Sequence, residues 1–102
     1  MQLNTKTYQT KNGLVEGVQV KWSGFNILLV AGSKGFLACP AIDIEACQRY
    51  GQAAALVEST ADNPIGTLER FADRKITKVN PNASAIGIKE GMPVDAAFNL
   101  IA

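Results

Sequence analysis

Histidine is absent from the 102 residues, which removes the Ser-His-Asp and Cys-His nucleophile systems, His-ligated zinc and the usual general base at neutral pH. Cysteine is scarce. Cys39 and Cys47 stand apart with no Cys-x-x-Cys arrangement, so neither a disulfide framework nor a redox motif is supported and two reduced thiols are expected. Long apolar runs are missing too. No run is longer than Ile27-Leu28-Leu29-Val30-Ala31, which falls far short of the ~20 residues of a membrane span. Met1 to Thr7 hold no apolar leader segment, and the reading is a cytoplasmic protein with no membrane partner. Charge of either sign is in short supply as well: ten Lys+Arg against nine Asp+Glu give +1. That is too weak a field to hold a phosphate backbone, and nucleic acid is not expected as a partner.

What is present is a 47% hydrophobic chain whose glycines and prolines are spread as punctuation, without repeat, linker or low-complexity tract. One domain over residues 1–102 is expected, able to bury roughly 60–68% of its unfolded surface without metal or disulfide staples. Leu3 to Thr10 is rich in β-favouring threonine, and Asn12-Gly13 is a two-residue hairpin signal. Val18, Val20 and Trp22 alternate with Gln19 and Lys21, the period of a half-buried strand. Ile27 to Ala31 and Phe36 to Cys39 flank Gly32-Ser33-Lys34-Gly35 and read as two further strands, covered on both faces, which completes a four-stranded meander.

Past Pro40 the period changes. Asp43 is placed to cap a short helix over 43–50 that Gly51 stops, and Ala53 to Glu58 reads as a buried strand. Asp62-Asn63-Pro64 predicts the opening of a helix with Ile65, Leu68, Phe71 and Ala72 on its buried face. Lys75 to Val79 is a short strand, Asn80-Pro81 opens a helical turn ending at Gly87, and Pro93 to Ile101 forms a last helix with Val94, Ala97, Phe98 and Ile101 inward. The fold class is α+β: a largely antiparallel, or mixed, sheet with an N-terminal β-meander and three to four short helices packed mainly on one face.

Chemistry has few candidates. Ser33, Lys34 and Gly35 could cradle an anion through backbone amides, but a phosphate loop runs into a helix and this turn runs into a strand. Cys39 ends an apolar strand and Asp43 follows at a helix start, so a thiol nucleophile near Asp43 is one reading and a buried thiol beside an N-cap is the other. A thiolate there would be favoured by helix-start amides or Lys34 and opposed by the apolar strand and by Asp43's own charge; an unreactive thiol is predicted. Glu58, Asp62 and Glu69 are too scattered for a metal set or an acid–base pair, and no metal or cofactor is expected.

Gly35-Phe36-Leu37-Ala38-Cys39-Pro40-Ala41-Ile42-Asp43 is similar to the Gly-aromatic-apolar-x-Cys-x-x-apolar-Asp stretch of the YunC-like family of small bacterial and archaeal proteins, a domain family of unknown function. Ile65-Gly66-Thr67-Leu68 and Gly87-Ile88-Lys89-Glu90-Gly91-Met92, followed by Asp95-Ala96-Ala97, extend the resemblance over nearly the whole chain. Pro40 stands where glycine would be expected and stiffens the turn after Cys39. The resemblance implies an N-terminal β region that mediates tetramer formation, with no established activity. The partner expected is therefore the chain itself, with residues 1–22 as the oligomerisation segment and Leu3, Thr5, Thr7 and Tyr8 at the contact. Two classes stay open: an oligomeric ligand-binding or accessory protein, and a small enzyme using Cys39.

Overall fold

A computed structural model describes all residues 1–102 and consists of one six-stranded sheet in the order β1 to β6 with four short helices. Strands β1 (Gln2–Thr10), β2 (Gly13–Trp22), β3 (Phe25–Ala31) and β4 (Phe36–Ala38) form the expected antiparallel meander. Gly13, at φ 126°, supplies the left-handed residue that the first turn requires. Helix α1 (Ile44–Arg49) crosses over to β5 (Ala54–Val57), which pairs parallel with β4, and β6 (Ile76–Val79) closes the far edge antiparallel to β5. The sheet is therefore mixed at this one junction.

The pleat sorts the side chains into two faces. On the inner face Val15, Leu28, Val30, Leu37, Ala55, Val57 and Ile76 meet Leu68 and Phe71 of α2 (Leu68–Phe71), and Val94, Ala97, Phe98 and Ile101 of α4 (Val94–Ile101). All four α4 positions read from its three-and-four spacing are buried. Helix α3 (Pro81–Ala85) adds Ala83 to the same core. Helix α1 alone lies on the outer face, where Glu45 pairs with Lys78 of β6 and Ile44 is buried.

Two departures from the sequence reading bear on function. The helix expected to open at Pro64 begins later, with Thr67 as its N-cap, because Gly66 takes φ 73° and breaks any helix running through it. Residues 59–66 form a loop instead. Secondly, β3 is covered on one face only. Val18, Val20, Ile27 and Leu29 are half-buried on the outer face of β1–β3, and Leu3 and Leu14 beside them are 66% and 60% exposed. No helix packs there.

Candidate functional site

The β2–β3 hairpin, the chain after β4 and the 59–66 loop meet around a cleft of about 670 Å³. The hairpin contributes Lys21, Trp22, Phe25, Asn26 and Leu28, and a left-handed Gly24 makes its tight tip possible. Trp22 and Phe25 pack edge to face with ring centroids 5.5 Å apart. Cys39, Pro40 and Ala41 line a second side, and Ser59, Thr60, Ala61, Pro64, Ile65 and Gly66 the third.

Hydrogen bonds hold the loop and the hairpin in place. The Ser59 Oγ accepts from the Ile65 amide at 3.1 Å and the Thr60 Oγ1 from the Asn63 amide at 3.0 Å, which turns the loop back on itself. Arg74 donates to the Asn63 and Pro64 carbonyls, each at 2.8 Å, and to the Asn63 Oδ1 at 3.2 Å. Across the sheet the buried Gln19 bridges the loop to the hairpin. Its Nε2 donates to the Gly66 carbonyl at 3.0 Å and to the Asn26 Oδ1 at 2.9 Å, while its Oε1 accepts from Asn4. A buried amide with its partners satisfied in this way fixes the relation of loop and strand.

The lining is apolar at Trp22, Phe25, Leu28 and Ile65 and polar at Asn26, Ser59 and Thr60, and Lys21 is its one charged side chain. An apolar pocket with a few convergent polar groups is the usual make-up of a small-molecule site. The arrangement offers stacking and apolar contact for a ligand's body, hydrogen bonds from hydroxyls and an amide, and one cation for an anionic group. No three His, Cys, Asp or Glu residues gather to hold a metal ion.

Of the catalytic and ligand-binding candidates read from sequence, Cys39 alone reaches this cleft. It is 6% exposed and belongs at once to the core and to the lining. Asp43 is turned to its own helix, its Oδ1 accepting from the Glu45 and Ala46 amides at 3.0 and 3.1 Å, so the structure does not join it to Cys39. Ser33 and Lys34 dock the end of α4, and Gly35 packs against Ala53. The Lys34 amide donates to the Ile101 carbonyl at 2.8 Å and the Ser33 Oγ to the Ala102 carbonyl at 3.0 Å, which leaves few amides for an anion. Leu3, Thr5 and Thr7 do line up on the open outer face, but Tyr8 turns inward against Phe98, ring centroids 4.8 Å apart. Lys21, Asn26, Ser59 and Thr60 were missed, since in sequence they read as strand-end and turn residues.

A family profile described as "Domain of unknown function (DUF1805)" matches residues 38–101, more than half of the chain, and takes in Cys39 and the whole 59–66 loop. The profile starts after most of the N-terminal meander and so covers less than the sequence resemblance. No curated protein matches the chain. The structure is similar to the crystal structure of a protein of unknown function from Thermoplasma acidophilum, with a TM-score of 0.85 over 99% of this chain and 94% of that one. At 17% identity that likeness concerns the fold alone.

Proposed function

The chain belongs to the DUF1805 family, a domain of unknown function, and from that premise and the cleft's geometry we propose that it is a cytoplasmic ligand-binding protein working as a homo-oligomer. The observation that carries the reading is the cleft itself. Three separate segments converge on it, a half-buried hydrogen bond from Gln19 ties the loop to the hairpin, and Arg74 fixes the loop's own turn from the surface. The oligomer is supported by the open outer face of β1–β3, where Leu3, Leu14, Trp22 and Phe25 are all exposed. Such an apolar surface on a small domain marks an interaction site.

Thermal denaturation against a panel of small metabolites, with the unchanged protein and with Ala61→Trp, tests the binding reading. Ala61 is exposed on the cleft wall, so an indole there fills the cleft without disturbing the core. At least one compound should raise the melting temperature of the unchanged protein and fail to raise that of the variant. A panel without effect, or an effect that survives Ala61→Trp, overturns the reading.

Cys39 in the lining favours one second reading, a thiol enzyme acting on a molecule held in the same cleft. Asp43 takes no part in it, and the rate of thiol modification argued in the Discussion decides between the two.

A further inference from the structure

We infer that the ligand of the cleft is a monocarboxylic acid with an apolar body, its carboxylate held at Lys21 and Asn26. This ligand class rests on the proposed binding role and narrows it.

Every polar side chain of the lining has a hydrogen-bond donor to spare. Gln19 fixes which way Asn26 points: its Nε2 already donates to the Gly66 carbonyl at 3.0 Å, so the Asn26 atom 2.9 Å from it is the oxygen. The Asn26 amino group is left with no acceptor in the protein. Ser59 and Thr60 each use the hydroxyl oxygen to accept an amide of their own loop, and neither donates its proton to a protein group. Main-chain acceptors around the cleft are taken as well. The carbonyls of Leu28, Cys39 and Ile65 accept from the Cys39, Ile42 and Thr67 amides, and that of Pro64 accepts from Arg74. A ligand entering here meets donors, and it has to bring the acceptors.

Lys21 makes the acceptor group an anion. It stands directly opposite Asn26 in the β2–β3 ladder, two places beyond Gln19 on its own strand, so ammonium and amide lie side by side on the inner face. Lys21 has no carboxylate partner, since the protein's one salt bridge joins Lys78 to Glu45, and no Asp or Glu is among the lining residues. Glu58 and Asp62, in and beside the loop, are exposed outside the lining. One uncompensated cation matches one negative charge. A phosphate monoester carries nearly two and favours guanidinium forks or a helix N-terminus, and the guanidinium of Arg74 is spent on Asn63 and Pro64. A carboxylate has the single charge and the acceptor sites. Next to the donor pair the wall turns apolar, with Leu28, Cys39 and Ile65 buried there and Pro40 and Pro64 beside them. A bare anion would leave that wall against water, whereas an apolar body covers it. The cleft, at about 670 Å³, is of the size that takes such a body.

Calorimetric titration with 3-phenylpropanoate and hexanoate, each beside its neutral amide, tests the class. Both acids should bind the unchanged protein roughly tenfold tighter than their amides, because a charged acceptor strengthens each hydrogen bond it receives. Lys21→Gln, at an exposed strand end where folding is not at stake, should bring acid and amide to within about twofold of each other. Lys21→Glu should turn the preference over, toward 3-phenylpropylamine. Ala61→Trp should remove binding of every probe. An amide or the amine bound as tightly as the acid by the unchanged protein overturns the class, as does an acid preference that survives Lys21→Gln. Phenyl phosphate bound tighter than 3-phenylpropanoate overturns it in favour of a phosphate ester, and no binding of either acid overturns it outright. In each of these cases the binding role itself stands if some other compound binds the unchanged protein and not Ala61→Trp, and falls if none does.

Discussion

The hydroxyl of Tyr8 donates to the carbonyl of Leu68, sixty positions later, and ties the edge strand β1 to α2 across the inner face of the sheet. Between them lies Gly17, where an added Cβ would stand 3.0 Å from Leu68 and 3.2 Å from Tyr8. The glycine is what lets the ring and the helix close over β2. A residue that the sequence offered for the oligomer contact is thus part of the protomer's own packing.

That contact makes stability depend on alkaline pH. Burial, and next to it the Glu69 carboxylate, push Tyr8 from 10.0 up to about 12. Between pH 10 and 12 the unfolded chain sheds a proton that the folded one keeps, so the contribution is complete below pH 10 and is lost as pH rises toward 12. At pH 7, Tyr8→Phe should cost about 1 kcal/mol by leaving the Leu68 carbonyl unpaired. Urea denaturation should show the gap between the two proteins closing through the alkaline window. A gap constant to pH 12 would mean that the hydroxyl is not held in this bond.

Asn80 carries more polar contacts than any other buried side chain in the protein. Its Oδ1 accepts from the Ala54 and Ala83 amides at 3.0 and 2.9 Å, and its Nδ2 donates to the Ile44 and Gln52 carbonyls at 3.0 and 2.8 Å. One amide thereby joins α1, β5 and α3. Asn80→Ala strands four backbone groups at a site 3% exposed, and a loss of about 3–5 kcal/mol is expected. Asn80→Asp should be worse at neutral pH than at acid pH, since the ionised carboxylate would face two carbonyl oxygens. A loss below about 1.5 kcal/mol for the alanine variant in chemical denaturation would show that water replaces the amide.

Phe71 is fully buried and stacks on Phe98, ring centroids 6.3 Å apart and planes 12° from parallel. Phe71→Ala should cost about 3–5 kcal/mol. Glu69→Ala and Arg70→Ala, on the exposed side of α2, should each stay within about 0.5 kcal/mol. Equal losses at positions 69 and 71 would place the helix in another phase.

The parts of the fold legible in sequence are those where one local rule acts alone. Asn12-Gly13 dictates its turn, and the three-and-four spacing of Val94, Ala97, Phe98 and Ile101 dictates a buried face. Where two rules compete, the reading chose the wrong winner. Pro64 favours a helix start, but Gly66 two residues later takes a left-handed conformation, and Thr67 supplies the cap through the Arg70 amide at 3.3 Å. The continuous apolar run of β3 suggested cover on both faces, and one of those faces is open within the protomer. The cleft was illegible for a different reason. Its walls come from positions some forty residues apart in the chain, and only the parallel β4–β5 pairing and the Gln19 bridge bring them together.

Gly32 and Gly35 flank a turn whose passage into a strand favours a plain hairpin over an anion cradle, and both pack closely against backbone. A Cβ on Gly32 would stand 2.1 Å from the Ile101 carbonyl oxygen, and one on Gly35 2.7 Å from that of Ala53. Both obstacles are backbone and cannot swing aside. Gly32→Ala should therefore destabilise the protein by about 1–3 kcal/mol or more. Inorganic phosphate should leave the melting temperature of the unchanged protein where it is. A phosphate-dependent rise abolished by Lys34→Ala would restore the anion site at Ser33, Lys34 and Gly35.

Cys39 is the residue on which the binding and enzyme readings divide. Its side chain is buried, lines the cleft and makes no hydrogen bond, while the nearby carboxylate of Asp43 is spent on capping α1. Nucleophilic use needs a group that takes the thiol proton, and no base is hydrogen-bonded to this sulfur. Alkylation of Cys39 by iodoacetamide at pH 7, measured on single copies so that assembly does not shield it, should be slower than that of a free thiol and no faster than that of the half-buried Cys47. Cys39→Ser should cost about 1–3 kcal/mol, because it buries a hydroxyl with no partner in place of a small hydrophobe, and it should not change the particle mass. Alkylation many-fold faster than at Cys47 and than at a free thiol would mean that the protein activates this sulfur by a group the static geometry does not direct at it. The thiol-enzyme reading would then replace simple ligand binding, with the same cleft as its active site.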